Sequence, residues 1–265
     1  MSGGWQGDDA EPTSTTRLEV ENGLRLTDRI LSVINDGPRT EPFSMSPEFI
    51  RELNTLAVQG LAADAGTFRT YDSERAILGS RHVPPPHSEV PRLVEEMCAH
   101  VNDLAPAFSE AEPDEDDYDR GLDVATYVLW RLNWIHPFED GNGRTSRALC
   151  HLLFCIHSRS EVPPFATRIL QEKVKYYRCL SEADLAHKTK KKIRLQNLRE
   201  FVGKHMLNAL RALIEEVEAE NASLIEQADR KLQAVLVREV ELQKDTERLL
   251  LRIEALKSKT GDGES

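Results

Sequence analysis

The sequence predicts an all-α protein that carries one small β-hairpin and ends in a long C-terminal helix or coiled coil. Apolar residues recur at helical spacing through most of its 265 residues. Two nearly all-apolar segments, GLDVATYVLWRLNWI and RTSRALCHLLFCIH, are typical of buried helices, and a polar loop joins them. A heptad pattern without proline or glycine then runs from Leu207 to Leu256.

The composition limits the classes of function. With 40% hydrophobic and 30% charged residues, the chain can bury one core of ordinary domain size and still leave residues for an extension. The net charge of -11 argues against binding to nucleic acid. No apolar run approaches the roughly 20 residues that cross a bilayer, and the first residues lack the pattern of a signal peptide. The four cysteines have no CxxC spacing, so we expect reduced thiols in a cytoplasmic protein that does not bind membranes.

The N-terminal half predicts three helices and one hairpin. Residues 1–17 are too polar to become ordered, whereas residues 18–45 contain a helical segment that DGPRTEP ends. Ser46 and Pro47 mark the N-cap and the first position of a helix in SPEFIRELNTLAVQGL. FRTYDSERAILGSRHVPPPHSEVP suits a small hairpin, because its glycine and triple proline exclude a helix. VPRLVEEMCAHVNDL resumes helical spacing, and EAEPDEDDYD at residues 110–119 indicates a solvated loop or charge at a helix N-terminus.

The loop HPFEDGNGRTSR at residues 136–147 concentrates polar groups between the two buried helices. The glycines of the GNG turn at 141–143 allow successive backbone N–H groups to form an anion-binding nest, at the positive N-terminus of the next helix. Arg144 and Arg147 follow on one face of that helix, and a guanidinium can bind two phosphate oxygens at once. Together these features predict a polyphosphate site.

Two further side chains of the loop supply a metal ligand and a base. Asp140 directly precedes the nest, and a carboxylate there could hold Mg²⁺ together with substrate phosphates. His136 has an ordinary pKa of about 6.5, so it could take a proton from a hydroxyl that approaches a phosphorus atom. Each feature alone has an ordinary structural interpretation. Their concentration in one short stretch favours a functional site.

At these residues the sequence resembles the Fic (Fido) family. HPFEDGNGRTSR fits every specified position of the family signature HPFx(D/E)GNGRxxR. GSRHVPPPHSEVPRLVEEM resembles the family's target-binding flap with the helix after it, and KVKYYRCLSEAD resembles the helix that follows the motif. The resemblance covers residues 46–204 and implies a Fic-type helical catalytic domain with a β-hairpin flap. The implied activity is transfer of AMP from ATP to a Ser, Thr or Tyr hydroxyl of a target protein.

The resemblance also implies roles for individual residues. His136 would be the general base, Asp140 would bind Mg²⁺ and Phe138 would anchor the loop in the core. The residues that bind ATP would be Asn142, Gly143, Arg144, Arg147 and Tyr177, with Tyr176 as the second choice beside adenine. The flap residues Ala76, Ile77, Leu78 and Gly79 would align the target by strand addition.

Two other functions stay open. In the Doc branch of the family, which phosphorylates its target, the second glycine of the motif is replaced by lysine. That position is Gly143 here, so the resemblance favours AMP transfer over kinase activity. The other alternative is a non-catalytic Fic scaffold that a coiled coil dimerises, and the intact motif counts against it.

A self-inhibitory contact is a further implication of the resemblance. Many Fic proteins carry a helix with the pattern (S/T)xxxE(G/N), whose glutamate pairs with the second arginine of the motif. Glu21 is the candidate glutamate, although Arg17 occupies the hydroxyl position and Thr16 lies one residue away. We therefore expect Glu21 to restrain Arg147, with a separate antitoxin protein as the alternative source of restraint.

The heptads predict a long helix over residues 205–258, followed by a disordered tail at 259–265. The a positions are Leu207, Ile214, Asn221, Ala228, Val235, Leu242, Leu249 and Leu256. The d positions are apolar only at Leu210, Val217 and Leu224, so the second half is a narrower stripe that Leu232 and Ile253 assist. A homodimeric coiled coil, whose register Asn221 would fix, and a single helix folded onto the core are both compatible with this pattern.

Overall fold

The computed structural model describes residues 14–35, 43–72, 82–105, 112–190 and 192–261. These residues form eight α-helices and no strand, which confirms the all-α class. The helices are α1 (Ser14–Asn35), α2 (Pro47–Val58), α3 (Val90–Asp103), α4 (Glu115–Ile135), α5 (Asn142–Ser158), α6 (Ala166–Ile169), α7 (Lys173–Lys190) and α8 (Gln196–Gly261). The hairpin stays a prediction, because its centre at residues 73–81 lies outside the described residues.

Helices α4 and α5 form the centre of the core, as the apolar segments within them predict. One group of buried side chains joins them to α1, α2 and α3, and a second group joins them to α6, α7 and the first turns of α8. Gly121 in α4 permits the close approach of the pair, since a Cβ there would lie 2.8 Å from the Cβ of Ser158 in α5. The polar loop at 136–141 therefore begins and ends on two buried helices.

The start of α2 follows the predicted cap, and α1 packs beside it. The hydroxyl of Ser46 accepts a hydrogen bond from the Phe49 N–H at 3.1 Å, and Pro47 is the first helical residue. In α1 the buried side chain of Asn22 donates to the backbone carbonyl of Gln59 at 2.9 Å. This bond ties the middle of α1 to the C-terminal end of α2.

The acidic segment at 110–119 belongs partly to α4, so its interpretation as a loop is wrong from residue 115 onward. The Asp114 carboxylate caps the helix by accepting from the Asp117 N–H at 3.0 Å, and Asp117 accepts from the Asp114 N–H at 3.2 Å. Carboxylates at a helix N-terminus are stabilised by the helix dipole, as the alternative interpretation proposed. Asp117 also pairs with Arg159 at the end of α5, and this hydrogen-bonded guanidinium lowers the pKa of Asp117 to about 2.

The chain divides by its internal contacts into two compact units, residues 1–210 and 211–265. In the first unit, α8 contributes Leu198, Phe201 and Val202 to the core. In the second unit, α8 continues as one helix to Gly261, and most of its described side chains are exposed. Within the described ranges, no helix has both the length and the apolar character that spanning a membrane requires.

Candidate active site

His136 opens the loop between α4 and α5 in a left-handed backbone conformation. Its φ is 51° and its ψ is 58°, and its N–H still donates to the Leu132 carbonyl at 2.9 Å. A left-handed conformation at a residue other than glycine costs roughly 1–3 kcal/mol, although histidine tolerates it better than branched residues. The surrounding structure must therefore hold this turn in place.

His136 is half-buried, and this burial determines the protonation of its imidazole. Burial lowers the pKa of His136 to about 4, and the nearby Arg69 and His82 act in the same direction. Its Nδ1 is buried and makes no hydrogen bond to the part of the chain that the structure describes. At neutral pH the ring is therefore uncharged and keeps a nitrogen lone pair, so it can accept a proton.

Arg69 braces the His136 turn from the segment before the flap. Its buried guanidinium donates to four backbone carbonyls, those of Ile135, His136, Tyr71 and Pro85. The bond from Nε to the His136 carbonyl is 2.9 Å long, and the backbone N–H of Arg69 donates to the Pro137 carbonyl at 2.9 Å. Tyr71 and Pro85 lie before and after the predicted flap residues 76–79 in the chain. One guanidinium thus links the segments on both sides of them to the predicted base.

Asn142 closes the loop upon itself. Its side-chain oxygen accepts from the Phe138 N–H at 3.0 Å, and its side-chain nitrogen donates to the Phe138 carbonyl at 2.8 Å. The buried ring of Phe138 packs against Phe68 with 5.4 Å between ring centres, so it lies in the core. Because both polar ends of the Asn142 side chain are used inside the loop, its backbone N–H is the group that can face a phosphate.

Gly141 and Asn54 position the N-terminus of α5. Gly141 has a φ of 81°, and a Cβ there would lie 2.6 Å from Val58 Cγ1, so the conformation and the space both require glycine. The side chain of Asn54 in α2 donates to the Asp140 carbonyl at 2.9 Å and accepts from the Gly66 N–H at 2.9 Å. Helix α2 therefore holds the nest in place.

The N-terminus of α5 has the features of an anion site. The first N–H groups of a helix have no acceptor within it, so those of residues 142–144 can face a ligand. The Thr145 N–H donates to the Gly141 carbonyl at 2.9 Å and begins the helical pattern. Arg144 lies at this end, where its guanidinium pairs with the Asp140 carboxylate at 2.8 Å. Arg144, which is predicted to bind phosphate, and Asp140, which is predicted to bind the metal ion, thus form an ion pair with each other.

The donor set of the loop fits Mg²⁺ held partly by a substrate. Among the described residues, no three His, Cys, Asp or Glu side chains cluster closely enough to enclose a metal ion. The carboxylate of Asp140 is 55% exposed at the mouth of the nest. Mg²⁺ is usually held by one or two carboxylates together with phosphate oxygens and water, so this single exposed carboxylate is sufficient.

Arg147 lies beside the second glycine of the nest. A Cβ on Gly143 would be 3.1 Å from Arg147 Nη1, and burial lowers the pKa of Arg147 while Tyr176 and Tyr177 oppose that effect. Tyr176 is 1% exposed and stacks on Phe201, so it belongs to the core. Tyr177 is half-buried, with its ring centre 5.4 Å from that of Tyr176. Tyr177 thus keeps more exposed surface for a ligand than Tyr176 does.

The described structure leaves one group of predicted site residues untested and places the predicted inhibitory residue away from Arg147. The flap residues Ala76, Ile77, Leu78 and Gly79 lie outside the described residues. The carboxylate of Glu21 is 56% exposed and pairs with Arg25 at 3.2 Å, rather than with Arg147. Its neighbour Asn22 nevertheless contacts the end of α2, and Val58 of that helix lies against Gly141. Glu21 therefore lies on a helix that packs against the C-terminal end of α2, and the same end of α2 lies against Gly141 of the nest.

Sequence reasoning missed the residues that brace the loop from other segments. Besides Arg69 and Asn54, His82 lies with its Nε2 2.7 Å from the Trp134 carbonyl and its Nδ1 3.7 Å from the Asp184 carboxylate. Burial raises the pKa of Asp184. These contacts join segments 50 or more residues apart, which no spacing within the motif can reveal. The one available signal was that Arg69 and His82 flank the flap segment.

Comparison with known proteins confirms the resemblance. A family model described as the Fic/DOC family matches residues 44–154. The protein adenylyltransferase fic-1 of Caenorhabditis elegans is 28% identical over 111 residues, which cover 42% of this chain and 20% of that protein. The protein adenylyltransferase Fic of Nematostella vectensis is 30% identical over 121 residues, covering 46% and 24%. The matched part is thus a quarter or less of these curated relatives.

Solved structures share the fold. Fic-1 from C. elegans superposes with a TM-score of 0.58 at 20% identity, covering 80% of this chain and 55% of the other. A Fic domain containing signaling protein from Bacteroides thetaiotaomicron gives a TM-score of 0.60 at 19% identity, covering 81% and 76%. At this identity the likeness establishes the fold.

Proposed function

We propose that this chain, which carries a Fic/DOC family domain at residues 44–154, transfers AMP from ATP to a hydroxyl group of a target protein. One observation carries the proposal: the half-buried, neutral His136 lies next to a helix N-terminus to which two arginines belong. An anion site beside a proton acceptor suits phosphoryl chemistry. The names of the curated relatives as protein adenylyltransferases support the same activity.

In the proposed reaction, His136 accepts the proton of the target hydroxyl. The hydroxyl oxygen forms a bond to the α-phosphorus, the bond from that phosphorus to the oxygen bridging to the β-phosphorus breaks, and pyrophosphate leaves with the electron pair. A neutral imidazole is ready for this step at pH 7. Bound polyphosphate would raise the pKa of His136, because negative charge stabilises the imidazolium.

The remaining residues of the loop would hold the nucleotide. The backbone N–H groups of Asn142, Gly143 and Arg144, together with the Arg144 guanidinium, would bind the α- and β-phosphates, and Arg147 would reach the γ-phosphate. The Asn142 side chain would brace the loop through Phe138 rather than touch the nucleotide. Positioning and charge neutralisation supply most of the catalysis in phosphoryl transfer, so few other groups are needed.

Asp140 would hold Mg²⁺, which when bound neutralises charge on the phosphates. The carboxylate must first leave Arg144, and that arginine is then available to a phosphate. An exposed ion pair contributes roughly 0–1 kcal/mol, so opening it costs little. Mg-ATP would thus replace the pair between Asp140 and Arg144 by a contact of each residue to the metal ion or the phosphates.

Further parts of the proposal concern the adenine, the target and regulation. Tyr177 would flank adenine, and residues 76–79 would align a Ser, Thr or Tyr of a cytoplasmic target protein. Glu21 would restrain Arg147, for which its exposed pair with Arg25 has to open. Residues 205–258 would hold two copies of the chain together.

A labelling experiment separates AMP transfer from its alternatives. The chain is incubated with a cell lysate, Mg²⁺ and ATP labelled at either the α- or the γ-phosphate, and the protein products are analysed by mass spectrometry. We expect an AMP-sized addition with the α-label that disappears in His136→Ala. A phosphate-sized addition with the γ-label would replace the proposal by Doc-like kinase activity. No addition to any protein of a cell lysate would favour a non-catalytic scaffold.

A further inference from the structure

Helix α8 carries an exposed apolar seam in the second unit of the chain. Seven of its apolar side chains are between 46% and 62% exposed: Ile214, Val217, Leu224, Leu232, Val235, Leu242 and Leu249. With Asn221, Ala228, Glu239 and Thr246 they continue at steps of three or four residues. At 1.5 Å per residue the seam is about 54 Å long, which is enough for several layers of a coiled coil.

The seam shifts once along the helix. Its steps alternate between three and four residues, except that two steps of four follow each other from Leu224 through Ala228 to Leu232. Such an insertion of four residues is a stutter, which unwinds a coiled coil locally without ending it. It explains why a fixed heptad places Lys231 and Arg238 at d positions. After the stutter, Leu232 and Glu239 occupy the seam instead.

The seam maps onto itself when the helix is reversed. Reversal about the point between residues 231 and 232 brings seam residues together in five pairs: Ile214 with Leu249, Val217 with Thr246, Asn221 with Leu242, Leu224 with Glu239, and Ala228 with Val235. Each of these five layers is therefore filled by seam residues of both helices, and Leu232, the remaining seam residue, lies beside the midpoint. The same sequence can thus cover itself in the antiparallel direction.

Charge also favours the antiparallel direction. Residues 211–229 carry six acidic side chains and one basic one, whereas residues 234–252, which face them in the reversed register, carry four basic and four acidic ones. The first segment therefore has a formal charge of -5 and the second a formal charge of zero. Antiparallel copies place the acidic segment beside a segment without net charge, while parallel copies place acidic beside acidic.

The parallel arrangement has a further disadvantage within the seam. It would set Glu239 against Glu239 of the second copy, and two facing carboxylates at a buried layer repel each other. Its one advantage is a hydrogen bond between the two copies of Asn221. A neutral hydrogen bond contributes less than two buried like charges cost.

We propose that residues 214–249 of α8 pair with the same residues of a second copy in an antiparallel coiled coil. This inference rests on the self-association proposed above and specifies its direction. Leu232 lies next to the midpoint of the pair, so it meets Leu232 of the second copy. A second copy of the chain fits this surface because the two halves of the seam match each other when the helix is reversed.

Light scattering on the full chain tests self-association first. We expect twice the mass of the 30.0-kDa chain, and a dissociation constant at least tenfold higher for Leu232→Glu. A monomer at all accessible concentrations would overturn the self-association and the direction together. Leu232 lies outside the candidate active site, so AMP transfer in Leu232→Glu reports separately on the proposed function.

Cysteine pairing tests the direction. Chains with Ile214→Cys and chains with Leu249→Cys are produced together, each with its own affinity tag, and are oxidised mildly. The four natural cysteines are buried and should stay unreacted, which the wild-type chain controls. We expect disulfides that join one variant to the other, while each variant alone stays uncrosslinked. Disulfides between identical variants would establish a parallel pair and overturn the proposal. Glu216→Cys with Glu247→Cys, at matched heights outside the seam, serves as the matched control and should not pair.

Discussion

Arg69 Nε donates a 2.9 Å hydrogen bond to the backbone carbonyl of His136, from a guanidinium that also binds carbonyls on both sides of the flap segment. The carbonyl belongs to a residue in the left-handed region, where the backbone needs support. We infer that Arg69 is a positioning residue for the base. It acts through the backbone and does not touch the reacting atoms.

Arg69→Gln should therefore lower kcat for AMP transfer by roughly 10–100-fold, because a small displacement of a base is costly, and leave the KM for ATP nearly unchanged. Steady-state kinetics with a saturating target measures both constants. Arg51→Gln is the matched control: Arg51 donates to the Gly66 carbonyl at 2.7 Å in the same region but not to His136. Equal losses of kcat in both variants would mean that Arg69 only maintains local structure.

Replacing either Arg144 or Arg147 by alanine should remove on the order of 2–4 kcal/mol of transition-state stabilisation, since each would make charge-assisted contacts to phosphate in the proposed reaction. Arg147→Lys should recover only part of the loss, because an ammonium group lacks the planar fork. Measured kcat/KM values give these energies. Arg178→Ala, on an exposed face of α7, provides the comparison. Wild-type rates in both Arg144→Ala and Arg147→Ala would refute the proposal that these arginines bind phosphate.

Asp140→Asn should abolish the Mg²⁺ dependence of ATP binding. The amide oxygen can still accept from the Gly141 N–H, as Asp140 does at 2.6 Å, so the loop is kept while the charged metal ligand is lost. Calorimetric titration with ATP, with and without Mg²⁺, measures the effect. Glu139→Gln alters the neighbouring exposed acid and should retain the Mg²⁺ dependence. If Asp140→Asn binds Mg-ATP as wild type does, the ligand lies elsewhere.

The free energy of unfolding should fall with acidification between about pH 6.5 and pH 4. Burial lowers the pKa of His136 and of His157 to about 4, whereas unfolded histidine titrates near 6.5. In this window the unfolded chain binds more protons, so stability present above pH 6.5 is lost as pH falls. Urea unfolding of His136→Gln should show a slope smaller by up to about 1.4 kcal/mol per pH unit.

Glu21→Gly should raise automodification severalfold, because the glutamate would compete with the γ-phosphate for Arg147. The exposed pair with Arg25 is weak, and Asn22 holds this part of α1 against the end of α2, next to the nest. Incorporation of α-labelled ATP into the chain itself measures the rate. Glu19→Gly, also exposed on α1, should leave it unchanged, and Glu21→Gly with His136→Ala should be silent. An unchanged rate in Glu21→Gly would assign the restraint to a separate protein.

The sequence by itself determined the helical class, the two buried helices and the order of groups in the loop, because these depend on residues close together in the chain. Helical periodicity places α4 and α5, and Ser46 marks the start of α2 where its hydroxyl does cap the helix. The motif at 136–147 likewise sets the nest and both arginines within two turns of one helix. Local spacing is sufficient wherever the physical cause is local.

The tertiary structure decided what surrounds those groups. Burial lowers the pKa of His136 well below its ordinary value. The packed structure also determines that the Asn142 side chain binds the Phe138 backbone, and that Tyr176 rather than Tyr177 lies in the core. Arg69 and Asn54 reach the loop from 67 and 86 residues away, over distances along the chain that no periodicity encodes. Desolvation and long-range hydrogen bonds exist only once the segments are packed, so these properties could not be derived from the order of residues alone.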